Sequence, residues 1–318
     1  MIAGLQAADI VGQWSAAAEA PWFSTAPDGR HFLTHRDGHC VFLQEDNLCA
    51  VHRLLGEAAK PWFCREYPFQ SVSLPSGDVA MAVRADCGGL HESFADGAPV
   101  APQAAAALTL PRIVPRQAFT ASQVVILPRV AVGADNWSQI EPHLLQHLST
   151  PRPPEVSVAS TRSMLLSMAG RPAVAADPDQ HAAIMGSILQ SLQRAAQTTE
   201  APPPFRPKLA WAAQTLAALD LTTPIPSLTE SAQRYLSLVL RGEVLTRRLG
   251  TVGGLPAMLG LHLVEVTVAR RAAPSAGPLE PADLGLTLPA LKRALHLPPI
   301  WAQIRAARPA LEALFMTA

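Results

Sequence analysis

Lysine is nearly absent from this sequence. Only Lys60, Lys208 and Lys292 occur among its 25 basic residues, and the rest are arginine. Acidic residues also number 25, so the formal charge is zero and there is no clustered basic excess for a nucleic-acid footprint. Long hydrophobic runs are missing as well. The longest uncharged apolar stretch, "GTVGGLPAMLGLHLV" (250–264), falls short of the roughly 20 residues that span a bilayer. The opening "MIAGLQAADIVGQW" has no basic region ahead of an unbroken apolar core, and Asp9 interrupts it, so no secretory signal is expected. The reading is a cytoplasmic protein with no membrane association. Cysteine is scarce too, at four residues. In a reducing compartment these favour metal ligation or catalysis over structural disulfides.

What is present supports a folded chain. Its 318 residues suffice for one large domain or two ordinary ones, and 49% are hydrophobic. Abundant Ala, Pro and Arg are the mark of a GC-rich bacterial genome, from which no function follows. The 30 prolines are about twice the usual share. They cluster at "TPRPPE" (150–155), "EAPPPFRP" (200–207), "TTPIP" (222–226) and "APSAGPLEP" (273–281), where each should interrupt a helix for want of an amide proton.

Helical periods lie between these clusters. In "DQHAAIMGSILQSLQRAAQ" (179–197), Ile184, Ile188, Leu189 and Leu192 form one apolar face. "SLTESAQRYLSLVLRGEVLTRRLG" (227–250) opens on a Ser227/Thr229 capping signal and ends on Gly250. "LPAMLGLHLVEVTVARR" (255–271) and "PPIWAQIRAARPALEALF" (298–315) continue the pattern. The first hundred residues are less regular. A helix is expected over 5–19 and another over 47–58, where Leu48, Val51 and Leu55 would share a face. "SVSLPSGDVAMAV" (71–83) reads as a hairpin around a Pro75-Ser76-Gly77-Asp78 turn. The expected architecture is an α+β N-terminal metal-binding module with a short hairpin over 1–100, then a mainly α-helical region over 101–318 with Pro-rich interruptions.

Cys40, Cys49, Cys64 and Cys87 all fall in the first part, separated by eight, fourteen and 22 residues. None of these gaps is the two-residue gap of a zinc knuckle. Buried cysteines are often simple small hydrophobes. Their clustering argues for more, as do their settings. Cys40 follows the Asp37-Gly38 turn, Cys64 follows Lys60-Pro61, and Cys87 precedes Gly88-Gly89. Glycine lets backbone N–H groups approach a metal-bound thiolate. From the residues alone, a shared metal site and buried structural thiols stand level.

Other chemistry carries less weight. His31, His35 and His39 have helical metal-face spacing, but "RHFLTHRDGH" favours an extended segment. His143 and His147 share a helix face without a zincin glutamate and read as solvated. Cys64 could act as a nucleophile with His52 or His91, which would leave three cysteines unexplained. No Walker A loop and no G-x-G-x-x-G after a strand is present. "VGGLPAMLG" (252–260) sits in a helical context without the acidic partner of a nucleotide site.

The segment "GHCVFL…LCAVHRLLGEAAKPWFCREYPF", followed by "ADCGG", resembles the second half of the YkgJ-type cysteine-cluster family. That family is zinc- or iron-chelating and includes the flagellin lysine N-methylases. The matched positions are Gly38, Cys40, Phe42, Leu43, Cys49, His52, Pro61, Cys64, Arg65, Tyr67, Pro68 and Cys87. The resemblance covers about residues 36–90. The family's opening C-x-x-C-x-x-C-C cluster has no counterpart in residues 1–39. Either such a segment is encoded upstream of Met1, or this member has a reduced set.

The resemblance implies one Cys₄ zinc site or one [4Fe–4S] cluster held by Cys40, Cys49, Cys64 and Cys87. His52 would take a packing or supporting role. The resemblance also implies, as an alternative, a protein lysine N-methyltransferase that depends on the centre and acts on a protein substrate. A non-catalytic interaction protein with structural zinc is the third reading.

Overall fold

The computed structural model describes residues 22–25, 31–36, 39–46, 48–60, 64–65, 67–73, 79–87, 89–96, 123–198, 206–220, 222–245, 252–275, 277–295 and 297–318. Within them the chain is mainly helical, with four two-stranded antiparallel sheets. It divides into two compact units, Met1–Tyr67 with Glu200–Pro207, and Pro68–Thr199 with Lys208–Ala318. The hairpin and Cys87 thus fall in the second unit with the helices. The helix expected over 5–19 lies outside the described residues, as does the Gly250 helix end.

In the first unit, β1 (Phe23–Thr25) pairs with β2 (His31–Leu33), and β3 (His35–Arg36) pairs with β4 (His39–Cys40). His31, His35 and His39 therefore sit one in each of three strands, extended as the local sequence suggested. Helix α1 (Ala50–Leu55) follows, then a 3₁₀ turn at Glu57–Ala59. The helix is shorter than expected and Leu48 is outside it, 56% exposed, while Val51 is buried. The reason is local. Asp46 Oδ1 accepts the Leu48 N–H at 3.0 Å and Gln44 N–H bonds Leu48 O at 2.9 Å, holding the chain in a turn until Ala50. Val41, Phe42 and Val51 form a small core, backed by Trp22, Leu33, Cys40, Cys49, Leu55 and Ala59. Trp22 and Phe42 meet with ring centroids 6.2 Å apart.

The second unit opens with the expected hairpin, β5 (Phe69–Ser73) against β6 (Val79–Val83), in register from Phe69↔Val83 to Ser73↔Val79. Helix α2 (Leu90–Asp96) comes next. A further hairpin, β7 (Gln123–Leu127) with β8 (Val130–Gly133), turns through Arg129 at φ 63°. The helices are α3 (Ala134–His147), α4 (Pro154–Met168), α5 (Pro178–Thr198), α6 (Arg206–Ala217) and α7 (Glu230–Leu245). After them come α8 (Leu255–Ala272), α9 (Pro281–Leu295), α10 (Pro298–Ala306) and α11 (Arg308–Thr317).

Each Pro-rich cluster separates two of these helices, as expected from the missing amide proton. Pro142 and Pro289 instead lie inside α3 and α9. The 298–315 period is two helices rather than one, with Pro309 in the first turn of the second, where its missing amide proton leaves no intrahelical bond unmade. Thr229 caps α7, its Oγ1 accepting the Ala232 N–H at 3.2 Å. On α5 the buried stripe includes the expected Ile188, Leu189 and Leu192 together with Met185, Ala195 and Ala196, while Ile184 is half-buried.

Helix α8 is the axis of the unit. Every residue from Leu255 to Arg270 is buried, the pattern of a helix apolar on all sides. It packs on α9, α11, α4 and β7. Its Gly260 lies so close to α11 that a Cβ there would fall 2.1 Å from Leu311 O. In "VGGLPAMLG", Gly260 thus serves helix packing, while Gly253 and Gly254 take positive φ of 101° and 130° ahead of α8. No helix among the described residues is long and apolar enough to cross a membrane.

Candidate metal centre

Local pairing places Cys40 and Cys49 on either side of one turn. Cys40 ends β4 opposite His35, and the chain turns back through Leu43, whose N–H bonds Cys40 O at 2.9 Å. An antiparallel bridge joins Leu43 to Cys49, and the Ala50 N–H reaches Phe42 O at 2.8 Å. Cys40 and Cys49 therefore flank the same Phe42 turn and are both half-buried. Arg53, on α1, pairs with Asp46 across that turn.

Cys64 enters the group through charge. Burial is the main cause that pushes its thiol up to about 11, and Cys40 and then Cys49 raise it further, while Lys60 opposes them. Burial also raises the Cys40 thiol; the Phe42 backbone N–H lowers it and Cys49 raises it. Three thiols thus lie within electrostatic reach of one another, with no disulfide among them. The cation acting on Cys64 is Lys60; Arg65, the residue next in sequence, is not among the causes. His52 is exposed on α1.

Cys87 has a different setting. It is 9% exposed in the second unit, in a core with Leu90, Leu228, Tyr235, Leu236, Val239 and Leu284. Burial chiefly, and the neighbouring Cys87 secondarily, push the Tyr235 hydroxyl up to about 12. The turn before it is held by the bidentate pair of Arg84 with Asp86, at 2.8 and 2.7 Å, and by Arg293 Nη1 donating to Asp86 O at 2.6 Å. One turn on, His91 is buried against Gly285 of α9, where a Cβ would meet the imidazole at 2.0 Å.

The donor chemistry of Cys40, Cys49 and Cys64 fits a soft metal, since thiolates select zinc and iron–sulfur clusters. Their spacing is looser than a closed zinc site. A tetrahedron with Zn–S bonds of about 2.3 Å has S–S edges of about 3.8 Å. Among the described residues, the ligand atoms that meet in threes within 4.8 Å are those of Glu243, His262 and Glu265. The cysteine trio is therefore wider than a zinc tetrahedron.

That acidic group was not anticipated from the sequence. Glu243 comes from α7, His262 and Glu265 from one face of α8, and Lys292 from α9 donates to both carboxylates. All four side chains are buried. A signal did exist: His262 and Glu265 are the titratable residues of the apolar run "LPAMLGLHLVEV", and buried charges need partners.

The remaining histidines of interest sit on α3. His143 is exposed, as a solvated face requires, while His147 is half-buried, with its Nε2 3.0 Å from Ser160 Oγ. No family model, curated protein or solved structure matches this chain.

Proposed function

We propose that this is a metal-binding protein whose cysteines, Cys40, Cys49, Cys64 and Cys87, hold an iron–sulfur cluster or zinc. The observation that supports the proposal is that Cys40, Cys49 and Cys64 are unbridged and half-buried in the first unit, near enough that Cys49 opposes ionisation of Cys40, and both oppose ionisation of Cys64. A protein that gathers thiols this way opposes its own thiolates, and a bound cation reverses that penalty by displacing the protons. Cys87 is assigned by the sequence pattern, and the structural support is confined to the other three. A protein lysine N-methyltransferase activity dependent on this centre is the corresponding catalytic proposal, and it rests on the family resemblance.

Anaerobic purification tests the reading. A brown protein with broad visible absorption and stoichiometric iron and sulfide identifies the cluster, and a colourless protein with one zinc identifies the alternative. Cys64→Ser should lose the metal, and Cys87→Ser decides the fourth ligand. A metal-free wild type, or a Cys64→Ser protein with unchanged metal content and unchanged protease resistance across residues 30–90, would falsify the proposal.

A further inference from the structure

The buried group on α7, α8 and α9 has the geometry of a second metal site, independent of the cysteines. His262 and Glu265 are three residues apart on α8 and so project on one face toward Glu243 of α7. Lys292 Nζ donates to Glu243 Oε1 and to Glu265 Oε2, which orients both carboxylates. Metal-binding carboxylates are commonly held in this manner by a supporting donor. The other oxygen of Glu243, Oε2, faces His262 Nδ1 at 3.7 Å.

That distance is too long for a hydrogen bond. His262 is 1% exposed, and its Nδ1 has no hydrogen-bond partner. Buried ring nitrogens are rarely left in that state. Two ligands each about 2.1 Å from a shared ion lie about 3.4 Å apart at the tetrahedral angle and about 4.2 Å apart when opposed. The 3.7 Å gap falls between these limits. Glu265 brings the third ligand atom within 4.8 Å of the other two, leaving a few tenths of an ångström for the side chains to close.

We infer that Glu243, His262 and Glu265 bind one divalent transition-metal ion in the core of the helical unit. Two carboxylates and an imidazole form a hard-to-intermediate set, suited to Mn²⁺, Fe²⁺ or Zn²⁺. Enclosure on three helices makes the ion structural, joining α7 to α8.

Mn²⁺ is the probe, because thiolates select softer metals and the cysteines compete weakly for it. The chelator-treated full chain is incubated with Mn²⁺, and free ion is counted by electron paramagnetic resonance. One equivalent should bind, with a directly coordinated histidine nitrogen in the pulsed spectrum. At a hundredfold excess over Kd the melting temperature should rise by about 5–10 °C. Cys64→Ser should leave this binding intact, which separates the site from the cysteine centre. His262→Gln should weaken it at least about tenfold. No bound Mn²⁺ in the wild type, or bound Mn²⁺ without a histidine nitrogen, overturns the inference. The same holds if His262→Gln binds as the wild type does. The first two results need no variant and stand even if His262→Gln does not fold. A cluster that binds no metal is a proton-balanced ion network only.

Discussion

Gly260→Ala tests the packing on which the helical unit depends. The added methyl would stand 2.1 Å from Leu311 O, 2.8 Å from its carbonyl carbon and 3.1 Å from its Cα. A comfortable C···O contact is about 3.3 Å, so α8 and α11 would have to separate locally by about 1.2 Å. The obstacle is helix backbone, and no rotamer change relieves it. Leu311, Leu314 and Phe315 are all buried on α11, so separation also opens their apolar contacts. Overpacking of this kind costs about 1–3 kcal/mol, and a rigid backbone neighbour puts the change at the upper end. Against that, alanine gains about 1 kcal/mol over glycine in a helix. The clash wins by about 2 kcal/mol, a fall in melting temperature of about 4–8 °C for a unit of this size. Gly133→Ala is the control, since nothing lies within 4 Å of its added methyl; its change should stay within about 0.5 kcal/mol. Thermal unfolding followed by circular dichroism reads both. A Gly260→Ala protein as stable as the wild type would refute the close approach of α8 and α11.

Removing the α7 cap with Thr229→Ala should cost about 1 kcal/mol in urea unfolding, and an unchanged midpoint would show the Ala232 N–H finds another partner. In metal-free protein, Cys64 should resist iodoacetamide at neutral pH and react increasingly as pH approaches 11. Because its folded value is raised above the ordinary 9.0, its contribution to stability is full below pH 9 and is lost as pH rises toward 11. Loss of protease resistance in the first unit across that window is the readout, and flat resistance would contradict it. His147 should titrate below its ordinary 6.5, chiefly from burial and secondly from Arg152. Arg152→Ala should move its NMR midpoint upward, and no movement would remove Arg152 as a cause.

Helix existence was legible in the sequence, because apolar spacing and proline placement act over neighbouring residues. The α5 stripe, the Thr229 cap and the 69–83 hairpin follow from local chemistry that tertiary packing does not override. Boundaries were less legible. Leu48 has the spacing of a helix face, yet the Asp46 side chain captures its amide and delays the helix. Spacing also could not assign Cys87 to its surroundings. A cysteine before Gly-Gly does not reveal by its spacing that it lies in a core with Tyr235.

Composition and short-range pattern were enough to show a chain with a mainly helical second part, cysteines confined to its first hundred residues, and no uncharged apolar run as long as the roughly 20 residues of a bilayer span. Those properties depend on composition and short-range period. Folding was needed to show that Cys40 and Cys49 oppose ionisation of Cys64 and that Glu243, His262, Glu265 and Lys292 meet. Glu243 and Lys292 are 49 residues apart, on α7 and α9. No local period links such positions; packing of both helices around the buried α8 brings them together.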